Sequence, residues 1–288
     1  FLLLLFFWWR SGSLLQNIIL KARPLLSNNY KKTPMSNQNL SSVARAFTSA
    51  RVFAPRKGTA LSTKDLLQLR ADHAVARDAV FESIDLERDF RSERIDQFGL
   101  FEVTSKANNR HEYLLSPELG RQLNPLERQR ILQLCPPLSG LQSQPSLQII
   151  LGDGLSALAL KNQGPLLLDA LWEQAHSLGW FLGRPFLIHH ARVGILNEVG
   201  NLLKPDILVL LIGERPGLTI ADSLSAYLAY RPELGNNDAN RNLISNIHSN
   251  GVGIAEAAIR ILALAELMIN AKTAGVQIKE IIALSDTR

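Results

Sequence analysis

The chain has 288 residues, 46% apolar and 20% charged, enough for one large domain or two modest ones with a real buried core. Its single cysteine, Cys135, excludes an internal disulfide and any multi-cysteine metal site built from this chain alone, and fits a reducing, cytoplasmic setting. The net charge of +5 arises in residues 1–34, where Arg10, Lys21, Arg23, Lys31 and Lys32 meet no acid; the rest is neutral, so the basic balance is no evidence for nucleic-acid binding.

The first residues, "FLLLLFFWWR", form an apolar run too short to span a bilayer, which takes about 20 residues. No basic segment precedes the run and no small-residue cleavage site closes it, so residues 1–34 read as a mis-started leader, with Met35 as the expected start. Residues 35–60 are polar, Ser-rich and weakly patterned, as in a flexible tail. No membrane or nucleic-acid partner is expected.

Ser62, three residues before Asp65, predicts a helix start by a variant of the capping box. Leu66, Leu69, His73, Ala76 and Val80 then recur at steps of three and four, one face of a helix, with His73 expected as a hydrogen-bonded core residue. Residues 82–125 mix short helical and extended pieces. There "NNRHEYLLSPELGRQL" reads as a turn, an extended run and a helix starting at Ser116-Pro117. Pro136, Pro137 and "LSGLQSQP" predict a linker, with a domain boundary near residue 140. Residues 61–139 are thus a smaller, mainly helical N-terminal region, and 140–288 a second domain.

That second domain alternates strands and helices. "LQIIL" (147–151) is a strand before the glycines of "GDG". A helix follows, with Leu167, Leu168, Leu171, Ala175 and Leu178 on one side. "PFLIHHARV" (185–193) and "DILVLLIG" (206–213) are further strands, with a short helix, Ile195 to Leu203, between them. Strands apolar on both faces predict an α/β, Rossmann-like fold: a parallel sheet with flanking helices. Ligands in such folds bind beyond the carboxyl ends of the strands, which places "GDGLS", "HHARV" and "GERPG" along one rim. The last long helix, about Gly253 to Ala271, is so apolar that it is either buried or covered by a partner chain.

The chemical motifs are incomplete. "GDGLSA" (152–157) satisfies the G-x-G-x-x-A dinucleotide fingerprint, but the second strand ends near His189 and His190 rather than at the acid the fingerprint needs. A NAD-dependent oxidoreductase is therefore the runner-up reading. Ser156 fails the nucleophile-elbow pattern, because position 158 is Leu. His189 and His190, adjacent on a strand, point to opposite faces and do not chelate one ion. Asp153 is open to two roles, acid or base on one hand, N-cap of the next helix on the other. "NIHSNG" (246–251) approaches the D-x-H-x-x-G pattern that supplies a cobalt ligand in some cobalamin proteins, with Asn246 in place of the aspartate that would orient His248. No complete catalytic set remains, which points to a binding subunit.

"LRADHAVARDAV", "YLLSPELGRQL", "ILGDGLSALAL", "ARVGI", "LLIGERPGL", "DSLSAYLAY" and "LISNIHSNG" follow one another in order, and together resemble the small (light) subunit of ethanolamine ammonia-lyase. The resemblance spans roughly Leu61 to Gly275. It implies an adenosylcobalamin-dependent enzyme converting ethanolamine to acetaldehyde and ammonia. A large subunit, a TIM barrel, houses the radical chemistry, and the small subunit covers the cofactor. Cobalt keeps its own benzimidazole as lower ligand, so His248 is not needed for it. Family cofactor contacts carry over to Glu214 of "GERPG" and to the backbone of Val193 in "ARV". A third family contact is a cysteine; Leu243 stands there, so a backbone contact alone can survive. On this reading the Glu214 carboxylate accepts from the corrin's amide fringe and is aimed by the turn at Pro216 and Gly217. Arg215 is left to pair with the large subunit or with a cofactor phosphate. Family members often enter a bacterial microcompartment through an N-terminal segment. A purely structural partner of the large subunit is a third reading.

Overall fold

The computed structural model describes residues 43, 56–138 and 145–280. The leader, most of the 35–60 tail and the linker near residue 140 lie outside the described residues. The chain divides into two units, with the boundary between Leu69 and Arg70.

Helix α1 spans Thr63–Phe81. Ser62 caps it as the spacing predicts: Asp65 N donates to Ser62 Oγ at 3.1 Å, and Ser62 Oγ donates back to the Asp65 carboxylate at 2.5 Å. The expected core stripe is not buried. Leu66 is exposed, His73 faces solvent, and Ala79 is the one buried residue of the helix. A three-four spacing fixes which residues share a face; it does not supply something to cover that face.

The second unit is built on one sheet, for which the six main strands are β1 (Phe101–Thr104), β2 (Ser146–Gly152), β3 (Phe186–His189), β4 (Ile207–Gly213), β5 (Leu224–Tyr230) and β6 (Asn242–Ile247). Their order is β1-β3-β2-β4-β5-β6, and the two-residue strand Phe181–Leu182 also pairs with β2. β1, β3, β2 and β4 are mutually parallel, but β5 and β6 are antiparallel. The purely parallel sheet expected from the sequence is therefore corrected to a mixed one. The reason is the connections: no α-helix lies between Gly213 and Leu224, or between Tyr230 and Asn242. A parallel neighbour needs a crossover of a dozen residues or more, usually a helix; without one the strand turns back.

β2 and β4 are buried along their whole length because helices cover both faces. On one face lie α5 (Ala157–Ser177) and α7 (Ile254–Ala271), which bring Leu160, Leu167, Leu171, Ile261, Ala265 and Met268 against β2, β4 and β5. This settles the partner of the apolar α7: its own sheet covers it. Leu178, expected on the buried side of α5, sits at its C-cap and is exposed. On the other face lie α4 (Pro125–Leu134) and α6 (Ile195–Leu203), packed on Ile150, Ile188, Leu208 and Leu210.

The stretch before α4 differs from the expectation. Ser92–Phe98 forms helix α2. Arg110–Leu115 is helical (α3), not extended, and Ser116-Pro117 leads only into the single 3-10 turn Leu119–Arg121. The start of α3 is set by Asn109, whose side-chain oxygen accepts from Glu112 N at 2.9 Å.

Candidate functional site

The parallel strands end at Thr104, His189, Gly152 and Gly213. In register, Gly152 lies opposite Ile188 on one side and Ile212 on the other. "GDGLS", "HHARV" and "GERPG" therefore do meet on one rim.

At the centre of the rim the chain packs on itself. A Cβ added at Gly154, whose φ is +57°, would fall 2.2 Å from Gly213 O, and one added at Gly213 would fall 1.9 Å from Ser156 O. Leu155 N donates to Gly213 O at 3.0 Å. Ser156, not Asp153, is the N-cap of α5: its Oγ accepts from Ala159 N at 3.2 Å and donates to Ala221 O at 2.8 Å. In a dinucleotide fold these glycines admit a pyrophosphate onto the helix N-terminus. Here the close approach belongs to β4 and the segment after it.

Asp153 is 4% exposed. Its Oδ1 accepts from Ala191 N at 3.0 Å, and its Oδ2 lies 3.6 Å from Arg110 Nη1 and 3.5 Å from His190 Nδ1. Burial pushes this carboxyl upward, but the side chain and backbone of His190 together with Arg110 outweigh it and hold Asp153 below the usual carboxylate range. His190 is in the left-handed region, with φ of 59°. The buried carboxylate thus anchors the turn that leads from β3 to Val193. Neither role expected for Asp153, N-cap or acid–base, fits an ion so enclosed and so committed.

Tyr113 completes this anchor. Its hydroxyl donates to Ala191 O at 3.2 Å, and the guanidiniums of Arg110 and Arg192 lie 4.7 and 4.3 Å from its ring centre. Burial, then Asp153, pushes the phenol up to about 12. His189 turns elsewhere, with Nε2 2.9 Å from Glu102 Oε2. Arg110 carried no signal in the sequence, and Tyr113 entered only as the first residue of the family segment "YLLSPELGRQL".

Glu214 follows β4 directly. Its backbone N–H donates to Ser223 O at 3.0 Å. Ser223 Oγ donates to its Oε2 at 2.7 Å, and Ser225 Oγ donates to its Oε1. The carboxylate is therefore oriented by β5 and the residue before it, whereas the sequence reading credited Pro216 and Gly217. Those two do close a local turn, with Gly217 N donating to Ile220 O at 2.9 Å. The two serines, at alternate positions of "DSLSAY", are the signal the sequence held: a period of two puts both hydroxyls on one face.

Ser225 and Tyr227 share the sheet face on which α6 packs, since Leu224, Ala226 and Leu228 belong to the opposite core. Tyr227 pairs with Leu243 on β6, and Leu243 is 45% exposed. Val193 packs on the same face, in the turn entering α6. The structure thus brings Val193, Glu214 and Leu243 to one side of the sheet. Arg215 beside them is exposed.

His248 is held within its own turn. It is 3% exposed, with Nε2 2.7 Å from Asn246 Oδ1 and Nδ1 accepting from Asn250 N at 3.1 Å. Both ring nitrogens are engaged within the "NIHSNG" turn, with the proton on Nε2 by this bonding pattern. Among the described residues, no group of three or more His, Cys, Asp or Glu side chains converges as a metal site would require, and no helix is long and apolar enough to cross a membrane.

The family model described as "Ethanolamine ammonia-lyase light chain (EutC)" matches residues 38–279. The chain is 33% identical over 254 residues to the ethanolamine ammonia-lyase small subunit of Clostridium acetobutylicum, covering 88% of this chain and 100% of that protein. It is 38% identical over 239 residues to that of Pseudomonas aeruginosa (82% and 85% covered), and 35% identical over 232 residues to that of Fusobacterium nucleatum (81% and 75% covered). With a family match over most of its length and relatives at this identity, the chain belongs to the ethanolamine ammonia-lyase light-chain (small-subunit) family.

Proposed function

We propose that this chain is the small subunit of an adenosylcobalamin-dependent ethanolamine ammonia-lyase, holding the cofactor against a catalytic large subunit in a cytoplasmic or microcompartment setting. The observation that carries this reading is the Glu214 carboxylate, partly exposed and fixed by two serine hydroxyls at the end of a parallel strand. A carboxylate has about four acceptor sites, and the serines take two of them. The remainder suit the neutral amide donors that fringe a corrin. Because the carboxylate is already oriented, binding costs little ordering entropy.

Val193 and Leu243 would add backbone contacts. β6 is the last strand of the sheet, so one edge of its backbone has no strand partner among the described residues. A backbone contact there does not depend on the side chain, and so tolerates Leu243 where the family has cysteine. Adenosylcobalamin, when bound, supplies the radical-initiating chemistry of the reaction. This chain's own groups bind and orient, and on this reading the chain by itself is inactive.

The test is co-expression with a large subunit and spectral titration of the complex with adenosylcobalamin. Glu214→Gln keeps the shape and removes the charge; a charge-assisted bond contributes about 1.5–3 kcal/mol, so the affinity is expected to fall about 10-fold or more. Unchanged affinity in a folded complex overturns the assignment of Glu214.

A further inference from the structure

We infer that Tyr113 is a positioning residue for the cofactor: with Asp153 it clamps Ala191, and so aims the Val193 N–H as a donor to the amide carbonyls of a corrin. This deepens the proposed function and rests on it.

Ala191 is held at both of its backbone groups by side chains from two separate segments. Its N–H donates to Asp153 Oδ1 at 3.0 Å, and its carbonyl accepts from the Tyr113 hydroxyl at 3.2 Å. A third segment holds the next residue, where Arg192 N donates to Gly120 O at 2.8 Å. This approach requires glycine at position 120, since a Cβ there would fall 2.6 Å from Arg192 Cγ and 2.8 Å from His190 O. The clamp is itself fixed. Tyr113 is buried, and Arg192 Nη2 returns to Tyr113 O at 3.1 Å.

What the clamp leaves free is one donor. Arg192 O accepts from Ile195 N at 2.9 Å, and Val193 O accepts from Leu196 N at 3.2 Å. Of the backbone groups of Ala191, Arg192 and Val193, the Val193 N–H alone has no hydrogen-bond partner among the described residues. Val193 is partly exposed. The Arg192 carbonyl and the Val193 N–H belong to one planar trans peptide, so fixing the carbonyl points the N–H the opposite way. Backbone strain supports a binding role for this turn. His190 holds a φ of 59°, a conformation that a non-glycine residue keeps only where its surroundings over-determine it, and such residues cluster at ligand clamps.

The aimed N–H is the complement of Glu214. A primary amide donates through its nitrogen and accepts through its oxygen. The Glu214 carboxylate can take only the first, and the Val193 N–H only the second. The amide fringe of a corrin presents both.

The test uses the complex of both subunits. Hydrogen–deuterium exchange at the Val193 amide is expected to slow by about 10-fold or more when adenosylcobalamin is added. Tyr113→Phe keeps the ring and removes the hydroxyl; it is expected to weaken adenosylcobalamin about 5-fold in spectral titration, with the complex still assembled. Asn124→Ala, which removes the side-chain cap of α4, lowers stability without touching the clamp and is expected to leave the affinity unchanged. Unchanged affinity in Tyr113→Phe, an equal loss in Asn124→Ala, or a Val193 amide that exchanges at one rate with and without cofactor overturns the inference. Glu214→Gln run alongside separates the two claims: if it weakens the cofactor and Tyr113→Phe does not, the positioning role fails and the cofactor-holding role stands.

Discussion

Glu214 and Ser223 are joined twice, once through the Glu214 backbone N–H to Ser223 O at 3.0 Å and once through Ser223 Oγ to the carboxylate at 2.7 Å. With Ser225 on the other oxygen, the acid is held from the antiparallel strand rather than from its own turn. The joint Ser223→Ala, Ser225→Ala variant keeps the charge and releases its orientation. Cofactor affinity in the complex is expected to fall about 5-fold, roughly 1 kcal/mol, less than for Glu214→Gln. A loss as large as that of Glu214→Gln would mean that the hydroxyls bind the ligand themselves.

Asp153 predicts a stability effect at a distance from that face. Removing one member of a buried ion cluster leaves the others uncompensated, which costs about 3–5 kcal/mol. Asp153→Ala is expected to lose that much in urea unfolding at neutral pH, with Asp153→Asn intermediate because its amide oxygen still accepts from Ala191 N. A loss below about 1 kcal/mol would show that Arg110 and His190 do not depend on the carboxylate.

The same group fixes a pH dependence. Its folded pKa is depressed, so its stabilisation is fully present above the ordinary carboxylate value of about 3.9 and is lost as pH falls through the lower folded value. The stability gap between the wild type and Asp153→Asn is expected to stay level from about pH 7 to 5 and to close only in stronger acid. Closure already near pH 6 would assign the effect to another group.

Gly154 separates the two readings of "GDGLSA". If the glycines serve internal packing, Gly154→Ala forces a Cβ onto Gly213 O at a positive φ and destabilises the fold by about 3 kcal/mol or more, while the wild type shows no NAD binding by calorimetry. A stable Gly154→Ala protein, or saturable NAD binding by the wild type, would restore the dinucleotide reading.

The sequence by itself determined what depends on neighbours along the chain. The Ser62 cap, the α6 span and the apolar strands β2 and β4 follow from capping, periodicity and burial on both faces. The same local signals placed three glycine- and histidine-bearing segments on one rim, and the run of motifs carried the family. What only the tertiary structure decided depends on contacts between distant segments. Two antiparallel strands, the serines that orient Glu214, and the enclosure of Asp153 by Arg110 and His190 each join such segments. Periodicity states which face a residue occupies; it cannot state what covers that face, and so it buried His73 wrongly and missed the covalently remote partners of Glu214 and Asp153.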